Sequence, residues 1–316
     1  MRFDIALVGQ AGRIGVEAAL LAASLRRADS GFSGRLTVME PTGPLWERDP
    51  AMGAEARAGL DRCGAEIVRF ENRVFGEAYP HGNKIEGLAA TMRGPTLFLD
   101  SDTLVLGPLS GLSFDHPTAS MRRSGSWPRP GTERGTWHAL YDRFGIDIGP
   151  TLDAGWPEKD WRRYLYLNAG WVFLPAAEVA ETWLDVAARI WREPGAALEG
   201  QALTPWLDQI ALPLALVSHG GARPGPKLDG LDGALTCHWR TLPLLYAREE
   251  DQAVETLETL AALPWLKKAL RTEPAFRRMV YQGHGRRARA LYGPGRAPGD
   301  EAVLRKGLKA AGLWIR

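Results

Sequence analysis

The first hundred residues alternate short apolar runs with helix-forming ones, and that alternation leaves few architectures open. FDIALVG (3–9), RLTVME (35–40), AEIVRF (65–70) and TLFLD (96–100) read as strands. Between them lie three helix-forming stretches: GVEAALLAASLRR (15–27), AEARAGLDRCG (54–64) and KIEGLAATM (84–92). The first two are followed or closed by a glycine stop signal, at Gly31 and Gly64. Strands separated by helices need right-handed crossovers, so the pattern predicts an α/β fold with a mostly parallel central sheet flanked by helices. Further on, YLNAGWVFLP (166–175) and ALTCHW (234–239) read as strands. AEVAETWLDVAARIWRE and TPWLDQIALPLALV (204–217) read as helices, the second with a Thr cap and an early proline. Residues 113–163, rich in Gly, Pro, Trp and charge, predict a long loop or lid. The expected division is a main domain over 1–247 and a basic helical C-terminal extension over 248–316.

Composition narrows the class. Of 316 residues, 45% are hydrophobic and 24% charged, as in soluble globular chains. Cys63 and Cys237 suit a reducing compartment and offer no disulfide framework or zinc pattern. The start, MRFDIALVGQ, reads as a strand rather than a signal peptide, and no apolar run reaches the roughly 18 residues of a membrane span. A cytoplasmic protein is expected. The net charge of +2 hides an asymmetry: residues 261–316 carry 13 Lys and Arg against 3 Asp and Glu. Such a tail suits peripheral contact with an anionic membrane face, or simply a solvated helical surface. Nucleic acid is not an expected partner.

Two stretches offer a nucleotide site. In VGQAGRIG (8–15), Gly9, Gly12 and Gly15 follow a strand and open a helix, and Glu40 ends the next strand. That context is the one an NAD(P)-dependent oxidoreductase needs, although the glycine spacing departs from G-x-G-x-x-G. The second stretch is TLFLDSDTLVLGPL (96–109), where Asp100 and Asp102 leave an apolar strand at its carboxyl end. Alternate residues leaving a strand point the same way, and two carboxylates there can hold Mg²⁺ or Mn²⁺ for substrate phosphates. A capped turn explains the same triplet without a metal. Five tryptophans (Trp127, Trp137, Trp156, Trp161, Trp171) cluster in and just after the 113–163 segment, a hint of an acceptor side built from aromatic faces.

Several of these stretches together resemble the GT-A glycosyltransferases, in particular the glycogenin-like retaining (family 8-type) nucleotide-sugar transferases. NKIEGLAATMRGPTLFLDSDTLVLGPLSGL (83–112) is similar to that family's lysine-helix, D-x-D and following segment. AALLAASLRRA (18–28) is similar to its first helix, LNAGWVFLP (167–175) to its N-A-G strand, WLDQIAL (206–212) to its D-Q helix, and CHWR (237–240) to its late metal-site histidine. The resemblance spans roughly residues 3 to 240. It implies a metal-dependent transferase taking a sugar from a nucleotide diphosphate, UDP favoured, to a carbohydrate, lipid-linked or protein acceptor, with retention. It implies Asp100, Asp102 and His238 as metal ligands and Lys84 and Asp208 as catalytic. Donor contacts would come from Lys84, Asp100, Ser101, Asp102, Gly9, Asn168 and Gly170, and acceptor contacts from Asp208 and Gln209. A sugar-nucleotide-binding protein without transferase activity is the third alternative, beside the oxidoreductase.

Overall fold

The computed structural model describes residues 2–122, 125–225, 233–293 and 297–315. Its strands are β1 Asp4–Val8, β2 Leu36–Thr42, β3 Glu66–Glu71, β4 Thr96–Leu99, β5 Thr103–Val105, β6 Thr118–Met121, β7 Leu167–Leu174 and β8 Thr236–His238. The helices are α1 Arg13–Ala28, α2 Ala54–Arg62, α3 Asn83–Thr91, α4 Glu133–Arg143, α5 Ala177–Arg192, α6 Leu207–Ser218 and α7 Leu242–Arg248. They continue with α8 Asp251–Ala261, α9 Pro264–Leu270, α10 Pro274–Phe276, α11 His284–Leu291 and α12 Glu301–Ala310.

Six strands form one sheet in the order β3-β2-β1-β4-β7-β6. The first four are parallel, and β7 alone in this sheet runs against its neighbours, so the expected mostly parallel sheet is present with one reversed strand. A separate two-stranded ladder joins β5 to β8.

Strand alternation divides the core. Ile5, Leu7, Leu97, Leu99, Trp171 and Phe173 face one side, packing with α1, α8 and α9. Ala6, Val8, Phe98, Val172 and Leu174 face the other, with α3, α5 and α6. Such a strand reads as a continuous apolar run because helices cover both faces. Tail residues Leu266, Leu270, Phe276, Leu304 and Leu308 belong to the first core, so the basic segment is pinned by its own apolar stripe.

Two expectations need correction. Within the predicted long loop lie β6 and α4, the latter burying Trp137, Leu140 and Tyr141 at helical spacing. α6 begins at Leu207 rather than Thr204, and Thr204 and Pro205 lie before it, joined by a cis peptide bond.

Candidate active site

The carboxyl end of β4 opens into a cleft of about 1000 Å³. Two pairings assemble its metal-type cluster. Leu99 pairs with Trp171 and the Asp100 N–H donates to the Gly170 carbonyl at 2.9 Å, which lays the N-A-G segment beside the aspartates. In the second ladder Thr103 pairs with His238, and the Trp239 N–H donates to the Asp102 carbonyl at 3.1 Å. His238 Nε2 thereby sits 3.0 Å from Asp102 Oδ1 and 3.8 Å from Asp100 Oδ2.

One ligand atom each from Asp100, Asp102 and His238 lie within 4.8 Å of one another. Carboxylate oxygens and an imidazole nitrogen are a donor set that suits Mn²⁺ or Mg²⁺. The space around the trio is kept by a glycine. A Cβ on Gly170 would stand 2.7 Å from Asp100 Oδ2, 2.9 Å from His238 Cε1 and 3.0 Å from Asn168 Oδ1. The residues present therefore fit a divalent cation.

Electrostatics bind the cluster together. Burial opposes the charged form of Asp102, but His238 beside it, Arg13 and Lys84 together outweigh burial and hold the carboxyl well below its usual range. Burial likewise works against a charged His238, yet Asp102 and Asp100 prevail and raise its pKa above the ordinary value. Lys84, from the first turn of α3, reaches Asp100 Oδ1 at 2.7 Å and Asp208 Oδ2 at 3.3 Å, and donates to the Ala169 carbonyl at 3.1 Å. Buried as it is, it stays charged because those two carboxylates outweigh desolvation. Asp208 is further fixed by the Tyr79 hydroxyl, 3.0 Å from Oδ1, and by the Trp183 indole, which donates to its carbonyl at 3.0 Å. The helix bearing Lys84 is itself anchored: the Glu86 carboxylate accepts the N–H groups of Arg73, Val74 and Phe75.

Of the residues singled out by sequence, Lys84, Asp100, Asp102, Asn168, Gly170, Asp208, Gln209 and His238 line the one cleft. Gly9 and Ser101 do not. The Ser101 hydroxyl donates to the Val8 carbonyl, and Met52 and Val38 fill the space where Gly9 would carry a Cβ. Glu40 is fully buried, its carboxylate taken by the Arg57 guanidinium and the Met52 N–H, so it is not presented to a ribose.

The tryptophan hint is also corrected. Trp127, Trp137 and Trp171 are core side chains, the first two edge-to-face at 5.2 Å, because so much apolar area is best buried. Trp206, half-buried beneath the Arg122 guanidinium, is the tryptophan that lines the cleft among the described residues. Four arginines were also missed: Arg122, Arg240, Arg248 and Arg305, from four separate segments. Arg248 ion-pairs with Glu301 at 2.7 Å, and Arg305 also pairs with Glu301, bringing α12 to the cleft wall. Arg240 holds φ 59°, the one positive value at a non-glycine residue among the described ones.

A profile of the Rhodobacterales glycosyltransferase domain matches residues 5–220. Among solved structures, the chain is similar to the galactosyltransferase LgtC crystallised with donor and acceptor sugar analogues. There the identity is 15% and the TM-score 0.49, over 83% of this chain and 98% of that one. It is also similar to the apo structure of WbbM, a bifunctional glycosyltransferase, at 12% identity and TM-score 0.49. That match covers 86% of this chain and 51% of the other, about half its length. No curated protein sequence matches the chain.

Proposed function

Because the chain belongs to the Rhodobacterales glycosyltransferase domain family, we propose that it transfers a sugar from a nucleotide diphosphate, UDP favoured, with Mn²⁺ or Mg²⁺ held by Asp100, Asp102 and His238. The observation that carries this reading is that trio, opening into a cleft that four arginines also line. A bound divalent cation supplies Lewis-acid compensation for the charge that builds on a departing diphosphate. Arg122 and Arg240 add positive charge to the cleft wall, while Arg248 and Arg305 are tied to Glu249 and Glu301 there. Lys84 holds Asp100 and Asp208 in fixed positions through one ammonium. Asp208, its backbone locked by Tyr79 and Trp183, offers a carboxylate to a sugar hydroxyl, with Gln209 one residue on. Asn168 turns its Oδ1 to the Gly170 N–H at 2.8 Å, which leaves the Nδ2 edge of the amide for a hydroxyl of a donor sugar. Retention follows from the resemblance to family 8-type enzymes, and no general base is assigned.

Calorimetric titration with UDP and GDP, each with and without Mn²⁺, tests this, with NADH as the parallel titrant. UDP binding that requires Mn²⁺ is expected, with no heat from NADH. NADH binding without metal would refute the reading. A donor-binding protein without transferase activity is separated by Asp102→Asn, which should abolish donor hydrolysis and transfer.

For the acceptor side we propose peripheral docking on an anionic membrane, near a lipid-linked or polysaccharide acceptor. No helix among the described residues is long and apolar enough to cross a membrane. Support comes from the exposed Arg277, Arg278, Arg286, Arg287, Lys306 and Lys309. Because tail leucines sit in the core, the test is Gln substitution at Arg286, Arg287, Lys306 and Lys309 rather than deletion. Loss of sedimentation with anionic liposomes is expected, and unchanged sedimentation would refute the docking.

A further inference from the structure

Beside the strand end that carries His238 lies a small second cavity, lined among others by Arg13, Glu17, Trp239, Thr241, Phe276 and Ile315. The space open to a water centre is about 10 Å³, enough for one molecule. Three of its lining residues are almost wholly buried: Glu17 at 2%, Trp239 at 1% and Thr241 at 6% exposure. Each carries a buried polar atom that makes no hydrogen bond: Glu17 Oε1, Trp239 Nε1 and Thr241 Oγ1. Arg13 Nη1 stands 3.2 Å from Glu17 Oε1 as a charge partner, without hydrogen-bond alignment.

Thr241 makes the case sharper. It occupies the N-cap of α7 in extended backbone, where a threonine hydroxyl ordinarily accepts from the first turn. Here it makes no cap bond. Leaving three buried polar atoms of neighbouring residues unsatisfied is costly, and native interiors almost always satisfy them, often through a buried water with about three partners.

We infer that one ordered water is bound here, accepting from the Trp239 indole, donating to Glu17, and bonding the Thr241 hydroxyl. The donor and acceptor inventory balances: the indole only donates, the Glu17 carboxyl has an accepting oxygen whether or not it carries a proton, and the hydroxyl does either. The water joins α1 to the segment immediately after His238, where the Trp239 N–H also holds the Asp102 carbonyl. Phe276 and Ile315, from the tail, help to enclose it.

Two measurements on the full chain test it. A crystal structure at high resolution should show one solvent peak within hydrogen-bond reach of at least two of the three atoms. An empty cavity, or direct pairing among the three side chains, would overturn the inference. Thermal melting of Thr241→Val separates the cases by sign. With the water in place the variant loses a satisfied hydroxyl, and Tm should fall by about 2–4 °C. An unchanged or higher Tm would mean that the native hydroxyl has no partner, which overturns it equally.

Discussion

Gly170→Ala is expected to damage the site while leaving the fold almost intact. The added Cβ would meet Asp100 Oδ2 at 2.7 Å, His238 Cε1 at 2.9 Å and Asn168 Oδ1 at 3.0 Å, where ordinary contact begins near 3.4 Å. All three neighbours are ends of side chains, so they can retreat by the missing ~0.4–0.7 Å without moving the backbone. Two of them are the proposed metal ligands, and displacements of that size change ligand geometry. Misaligned ligands cost roughly 10–100-fold in metal affinity, and an ångström of misplacement costs about 10²-fold in rate. Stability should change by less than about 1 kcal/mol, since alanine in this buried strand also restricts the unfolded chain. The assay is Mn²⁺ calorimetry in the presence of UDP, run beside a thermal melt. Wild-type Mn²⁺ affinity and turnover in the variant would refute the reasoning. So would a collapsed Tm, which would mean that the glycine serves the frame rather than the site.

Lys84→Met removes the cation between Asp100 and the buried Asp208, and breaking a buried pair from one side costs about 3 kcal/mol; an unchanged urea midpoint would exclude that role. Glu17 is fully buried, and desolvation raises its pKa well above the ordinary carboxyl value. A raised folded-state pKa means stability that is complete below the ordinary carboxyl range and lost as pH climbs through the raised value. Glu17→Gln should therefore melt higher than wild type at pH 8, with the gap closing toward pH 5; a gap independent of pH would refute the burial argument. Asp102→Asn should lose Mn²⁺-dependent UDP binding while keeping its far-UV circular dichroism, and retained binding would remove Asp102 from the metal trio.

Strands β1, β2 and β4 of the main sheet were legible because both faces are covered, so IAL, TVM and LFL need no polar alternation, whereas β6 lay hidden in the segment that reads as a loop. The helix at 133–143 was legible in principle through Trp137, Leu140 and Tyr141, but glycines and prolines around it obscured the spacing. Asp100 and Asp102 stood out as charges closing an apolar run. His238 did not stand out without the family pattern, because its place is fixed by the register Thr103 to His238, a pairing between distant segments. Arg248 and Arg305 were invisible for the same reason: they reach the cleft only because the tail's leucines fold back onto α1. The aromatic cluster misled because tryptophan serves cores as readily as sugar faces. Only packing separates Trp206 from Trp127.

The ladder between β5 and β8 also dictates when the metal trio can come together as the chain is made. Asp100 and Asp102 can sit on a finished strand while the partner of Thr103 has yet to be synthesised. A nascent chain ending at residue 220, where the family match ends, would carry the aspartates without their histidine. Closing that pairing is a late, long-range step of the kind that slows folding. The trio can therefore close only once residue 238 has been made, well after the aspartates and the parallel strands β1 to β4.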